Sequence, residues 1–174
     1  DVRRAHPDLR VEVTGTTMLS NAFAEAPEED VRFLVPLMYA LLLAMMLYLL
    51  RSVAGAVATF GVIVLSALSA MGIAGWFGTQ LNGVSVSAPT IILTLAIADS
   101  VHILLTMFGE MTRGRDRHAA LVESMRINAQ PVFLTSLTTV IGFLSLNFSD
   151  APPLRDLGNI TAVGVALAWV YSVT

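Results

Sequence analysis

From Ser52 to Ala98 the chain runs 47 residues without one charged side chain. Two more such runs follow, 23 residues from Ile127 to Ser149 and 18 from Leu157 to Thr174, and an earlier one covers the 18 residues from Phe33 to Leu50. A helix crosses the hydrocarbon core of a bilayer in about 20 apolar residues, and helices are favoured there because they satisfy their backbone groups internally. Runs of this length place the chain in a membrane. Its charged share agrees: 13%, where a soluble domain carries about 25%. An ordinary water-soluble enzyme does not fit these figures.

Five membrane-crossing helices follow, at about 33–50, 53–77, 89–108, 131–148 and 159–174. Pro36 falls in the first turn of the first, where a missing N–H costs little. Only Arg51 and Ser52 join the first two, so they form a tight hairpin. Gly78–Ala88 is glycine-rich and polar and reads as a loop. Within 109–130, Leu121, Val122 and Met125 share one face of a short amphipathic helix, expected to lie at the membrane surface. Arg51, Arg113, Arg115, Arg117 and Arg126 mark the cytoplasmic side by the arginine excess of its short loops. Residues 78–88 and 149–158 then lie outside, as does the N-terminus.

Residues 1–30 are of another character. Residues 1–31 carry seven acidic side chains and three arginines. Val11-Glu12-Val13-Thr14, closed by Gly15, alternates as a strand does, and Thr17–Asp30 leads as a helix toward the membrane. A lone strand has no partner for its backbone, so residues 1–30 read as the C-terminal end of an external, periplasmic α+β domain, and 31–174 as the transmembrane bundle. A start at Asp1 and an end inside an apolar run read as a piece of a longer protein. All ten basic residues are arginine, which hints at a GC-rich bacterial gene, and cysteine is absent.

Asp99 is the one acid inside an apolar segment, the eleventh residue of the twenty in the third helix, close to the bilayer midplane. An acid there costs about 2.5–3.5 kcal/mol on insertion scales, and apolar surroundings favour its protonated form. Such a group can load a proton from one side and release it to the other. At about 100° per residue, His102 and Thr106 share its face. Thr135, Thr138, Thr139 and Gly142 form a matching stripe on the fourth helix. Their hydroxyls are candidates to bond the aspartate or carry water to it, and Gly142 to permit close approach. The plainer readings are a buried Asp99–His102 pair that only fixes packing, and threonines bonded to their own helix.

Other polar and small residues read as packing. Ser66, Ala70 and Ala74 recur every fourth residue, as do Gly164 and Ala168, and such rows mean close helix contact. They do not distinguish contacts within the chain from those of an oligomer. Trp76, Trp169 and Tyr171 are either interface anchors or packing residues. Asn147-Phe148-Ser149 and Asn159-Ile160-Thr161 match the glycosylation triplet but hug the membrane boundary.

The stretch ADSVHILL (98–105), a charged loop and PVFLTSLTTVIGFLSL (131–146) resemble the resistance-nodulation-division (RND) superfamily of exporters. The likeness is greatest to the branch with MmpL-type and hopanoid transporters and the Patched and Niemann-Pick C proteins. It covers about residues 31–174 and implies a five-helix, sterol-sensing-like block from one half of a transporter. Where that family often has Gly-x-Asp-Asp, this chain reads Ala96-Ile97-Ala98-Asp99-Ser100, with the first acid kept and the glycine and second acid replaced. The resemblance implies a proton relay at Asp99, with Ser100 in the second acid's place. The second acid's work then falls either to His102 or to an acid elsewhere in the whole protein.

The expected function is proton-driven export of a hydrophobic or lipid-like substrate by a multi-pass protein of the bacterial cytoplasmic membrane. The proton is its coupling ion and no cofactor is needed. Its partners are membrane lipids, that substrate and the remainder of its own chain. The alternative is a sterol-sensing-like lipid sensor without net transport, and a lesser one a SecD/SecF-like protein-translocation component. An intramembrane aspartyl protease needs two carboxylates sharing a proton, and only one lies inside the helices. His6, His102 and His118 fall in separate regions, which does not suit zinc. The arginines are too few and scattered for nucleic acid.

Overall fold

The structure, a computed structural model, describes residues 15–79 and 81–174. The strand expected at Val11–Thr14 lies outside the described residues. What is described is helical: α1 (Thr16–Leu50), α2 (Val53–Trp76), α3 (Ala88–Thr112), α4 (Arg117–Leu144) and α5 (Pro152–Val173), with 3-10 turns at Ser85–Ser87 and Ser145–Phe148. Helices α2 to α5 are each long and apolar enough to cross a membrane, and Pro36–Leu50 supplies a shorter apolar stretch at the end of α1.

Local chemistry sets the boundaries. Arg51 ends α1 in the left-handed region at φ 47°, and its N–H bonds the Leu47 carbonyl at 3.0 Å. Ser52 then caps α2 by accepting the Gly55 N–H at 3.3 Å, as an N-cap hydroxyl does. The two-residue link thus stops one helix and starts the next. Asp116 caps α4 in the same way, its carboxylate accepting the Ala119 N–H at 3.4 Å. Helix α5 starts at Pro152-Pro153, seven residues before the expected Asn159, because proline suits the first turn.

The amphipathic stretch of 109–130 is not a separate helix. From Arg117 it continues without a break into the fourth apolar segment, with Pro131 inside the helix. Proline leaves the Ile127 carbonyl without its usual N–H donor, a bend-promoting defect that the flanking turns tolerate.

Helix α5 packs against α2, α3 and α4, while α1 touches α2 and α3 from one side. Small residues set the spacing. Ala70 and Ala74 of α2 meet Ala88 and Ile92 of α3 and Ile160 of α5 in one cluster. Ile63, Leu93, Ala96 and Ala168 form a second, and Met46, Leu50 and Ala56 a third beside the link. At Gly164 a Cβ would overlap the Cδ1 of Ile92, and at Gly158 it would overlap the Phe143 carbonyl. Both glycines admit a neighbour that alanine would displace. Trp76, Phe77 and Phe148 stand exposed, at 89%, 81% and 92%, at helix ends where aromatic side chains suit a membrane–water boundary.

Candidate functional site

Helix α3 buries one face, formed by Ile92, Leu93, Ala96, Asp99, Ser100, Ile103, Met107 and Glu110. Asp99 is 6% exposed. Its Oδ2 accepts a hydrogen bond of 2.7 Å from the hydroxyl of Ser136 on α4. Among the described residues no basic side chain forms an ion pair with it. An ionised carboxylate has about four acceptor positions, and Ser136 fills one.

The threonines of the TSLTT run lie elsewhere. Thr135 and Thr138 are exposed and Thr139 half-buried. Thr135 donates to the Pro131 carbonyl at 2.9 Å, Thr138 to that of Leu134 at 2.9 Å and Thr139 to that of Thr135 at 2.7 Å. Gly142 is exposed, with open space where a Cβ would stand. His102 is exposed on the flank of α3, and Thr106 bonds its carbonyl at 3.0 Å. Ser100 is 4% exposed, and its hydroxyl has no hydrogen-bond partner. Asp99 and Ser100 thus enter the bundle, whereas His102 and the threonine stripe border it.

Ser136 is the residue that sequence reasoning passed over. Its signal was a second row on α4, Ala120, Ser124, Val132 and Ser136, all buried and spaced by multiples of four. Ser124 of the same row donates to the Ile103 carbonyl at 2.5 Å, so the row fastens α4 to α3 at two levels. A third fastening closes the hairpin. Glu110, its side chain 7% exposed, binds Arg113 at 2.5 Å and Arg115 at 3.0 Å, and Arg115 reaches Glu123 of α4 at 3.4 Å.

The packing candidates divide. Ser66 is fully buried and donates to the Val62 carbonyl at 2.6 Å; Ala70, Gly164 and Ala168 are buried in helix contacts. Trp169 stacks obliquely on Phe133, ring centroids 5.2 Å apart, and the Tyr171 hydroxyl meets that of Ser69 at 3.0 Å. Both are packing residues. Asn147 and Asn159, from the two glycosylation triplets, exchange amide hydrogen bonds of 2.7 and 3.1 Å.

With this geometry in place, the chain can be set beside known proteins. The hopanoid transporter HpnN of Rhodopseudomonas palustris is 27% identical, covering 99% of this chain and 21% of that protein. The siderophore exporter MmpL5 of Mycobacterium tuberculosis is 23% identical, covering 97% and 18%. A membrane protein of Methanocaldococcus jannaschii is 22% identical, covering 97% and 43%. The chain therefore spans between 18% and 43% of the length of these relatives. No solved structure matches it. The relatives are named as transporters or membrane proteins, and the apolar helices are of membrane-crossing length, so the protein is an integral, multi-pass membrane protein. The MMPL family matches residues 1–174, the whole sequence, and the chain belongs to that RND-type family.

Proposed function

We propose that this chain is part of a proton-driven exporter of a hydrophobic or lipid-like substrate, in which Asp99 takes up and releases the coupling proton. The observation that carries the reading is the Asp99–Ser136 pair: a buried carboxyl in the middle of a membrane helix, bonded to one neutral hydroxyl. Such a carboxyl gains or loses a proton without breaking an ion pair. The passage of one charge across the membrane potential supplies about 2.3 kcal/mol per 100 mV. The relatives named as a hopanoid transporter and a siderophore exporter support export of such substrates. His102, Thr135 and Thr138 stand on a surface that the five helices leave open, which suits contact with the remainder of the whole protein. Arginine placement favours a cytoplasmic Arg113–Arg117 loop.

In the full-length protein, Asp99→Asn is expected to abolish energised export while leaving expression and membrane insertion intact. Undiminished export by that variant overturns the assignment.

A lipid-sensing module without net transport has one observation of its own. An apolar cavity of about 330 Å³ lies between α2, α4 and α5, lined by Ala70, Ile73, Phe77, Leu144 and Ile160 with Asn159 beside them. Lipid binding and regulation that survive Asp99→Asn would favour that reading.

A further inference from the structure

Arg51 is the only charged residue between Phe33 and Ala98. It stands at the tip of the α1–α2 hairpin, in a link of only two residues. Its N–H is tied to the Leu47 carbonyl and the next residue caps α2, so both helix ends fix its position. One turn into α2, Gly55 lies against the ring of Phe108, 3.1 Å from where a Cβ would stand. Arg51 is therefore level with the last turn of α3, at the end of the bundle that carries the Arg113–Arg117 loop.

Most arginines at that end are already neutralised. Arg113 and Arg115 bind Glu110, and Arg126 binds Glu123 at 2.6 Å. Arg51 is exposed and forms no ion pair among the described residues. Arg117 forms none either, but it opens α4 directly after a polar loop, whereas Arg51 joins two apolar helix ends. Tyr48 and Val53, on either side of it, are each 71% exposed, and Val57 is 65% exposed. On helices that cross a bilayer, such side chains meet acyl chains, which are as apolar as leucine. An arginine at this boundary extends its guanidinium toward the headgroups, and tyrosine is enriched at the same level. The guanidinium calls for an anion and its surroundings call for hydrocarbon. An anionic phospholipid supplies both in one molecule, and arginine matches phosphate with its two-pronged fork of donors.

We propose that Arg51 holds the headgroup phosphate of an anionic phospholipid whose acyl chains lie along Tyr48, Val53 and Val57. The site stands on the unpaired guanidinium, its fixed place at the hairpin tip and the exposed apolar side chains around it. It does not depend on the proton-relay reading.

The test uses the full-length protein in vesicles, with Val57→Trp as the reporter and the other tryptophans replaced by phenylalanine. The probes are phosphatidylglycerol and phosphatidylcholine brominated in mid-chain, since bromine quenches a tryptophan that it touches. Quenching is expected to show phosphatidylglycerol preferred about fivefold, the ratio that corresponds to about 1 kcal/mol. Arg51→Gln should bring the preference below about twofold. Arg51→Lys, which keeps the charge that orients the hairpin, should fall between the two. Arg117→Gln removes the same charge from the same end of the bundle and should leave the preference unchanged, as should Asp99→Asn. No preference in the parent overturns the proposal. So does an equal drop in Arg117→Gln, which would mean a diffuse surface potential and no site. Reversal by inorganic phosphate, with ionic strength matched by sodium chloride, also overturns it, because the occupant would then be a soluble anion.

Discussion

The hydroxyl of Ser124 donates to the carbonyl of Ile103 at 2.5 Å, inside the contact between α4 and α3. The next tie between these helices joins Ser136 to Asp99. Along α3 the two ties are four residues apart, about 6 Å at 1.5 Å per residue, whereas along α4 they are twelve apart, about 18 Å. A straight α4 parallel to α3 cannot make both. It must cross α3 obliquely or bend between the ties, and Pro131 lies between them.

Pro131→Ala tests which of these holds. If proline bends α4, restoring the missing N–H straightens it and one of the two ties is lost. Spin labels at Arg117 and Gly142, both exposed, should then move apart toward the ~37 Å of a straight helix of that length. An unchanged distance by electron–electron resonance would mean that α4 is already straight and crosses α3 at a steep angle.

Ser136→Ala removes the hydroxyl bonded to Asp99 and leaves a buried carboxyl without its side-chain partner. Leaving such a group unsatisfied costs about 1–3 kcal/mol, visible as a lower unfolding temperature of the protein in nanodiscs. Thr135→Val is expected to change stability by less than about 0.5 kcal/mol, since that hydroxyl is exposed and serves its own helix. Equal losses for the two variants would contradict the placement of the α4 faces.

These two positions show what was legible in the sequence. Asp99 stood out because a charge inside a long apolar run is itself the signal, and the five helices followed from the same runs. Ser136 did not. The TSLTT run places hydroxyls around most of a helical turn, and Thr135, Thr138, Thr139 and Gly142 make a well-formed helical stripe. Periodicity identifies a stripe without saying whether it faces the bundle or leaves it. That choice is made by packing, through Ser124 and Val132 on the buried row. Glu110 was hidden for another reason. It was assigned to a cytoplasmic loop, where acids and arginines are ordinary, whereas α3 continues to Thr112 and carries it onto the buried face.

The Glu110 network is expected to hold the cytoplasmic end of the α3–α4 hairpin. The double variant Arg113→Ala/Arg115→Ala leaves the Glu110 carboxylate, only 7% exposed, without either partner, and should cost about 1–3 kcal/mol. Arg113→Ala removes a side chain 75% exposed and should cost less than about 1 kcal/mol. Thermal unfolding of both variants at low and high salt checks the order. Salt screens exposed pairs more than it relieves a buried unpaired charge, so the loss in the double variant should survive where the Arg113→Ala loss fades.

Gly164→Ala is expected to damage the contact between α5 and α3. The added Cβ would overlap Cδ1 and Cγ1 of Ile92, a residue with no exposed surface. Overpacking of this kind costs about 1–3 kcal/mol. The companion variant Ile92→Ala leaves a cavity and is destabilising alone, by about 2–5 kcal/mol. Combined, the new methyl occupies part of the vacated space, so the double variant should be more stable than the sum of the two losses implies. Gly142→Ala, with open space around its Cβ position, is the control and should be close to neutral. Additive losses in the cycle would show that Gly164 and Ile92 are not in the contact described.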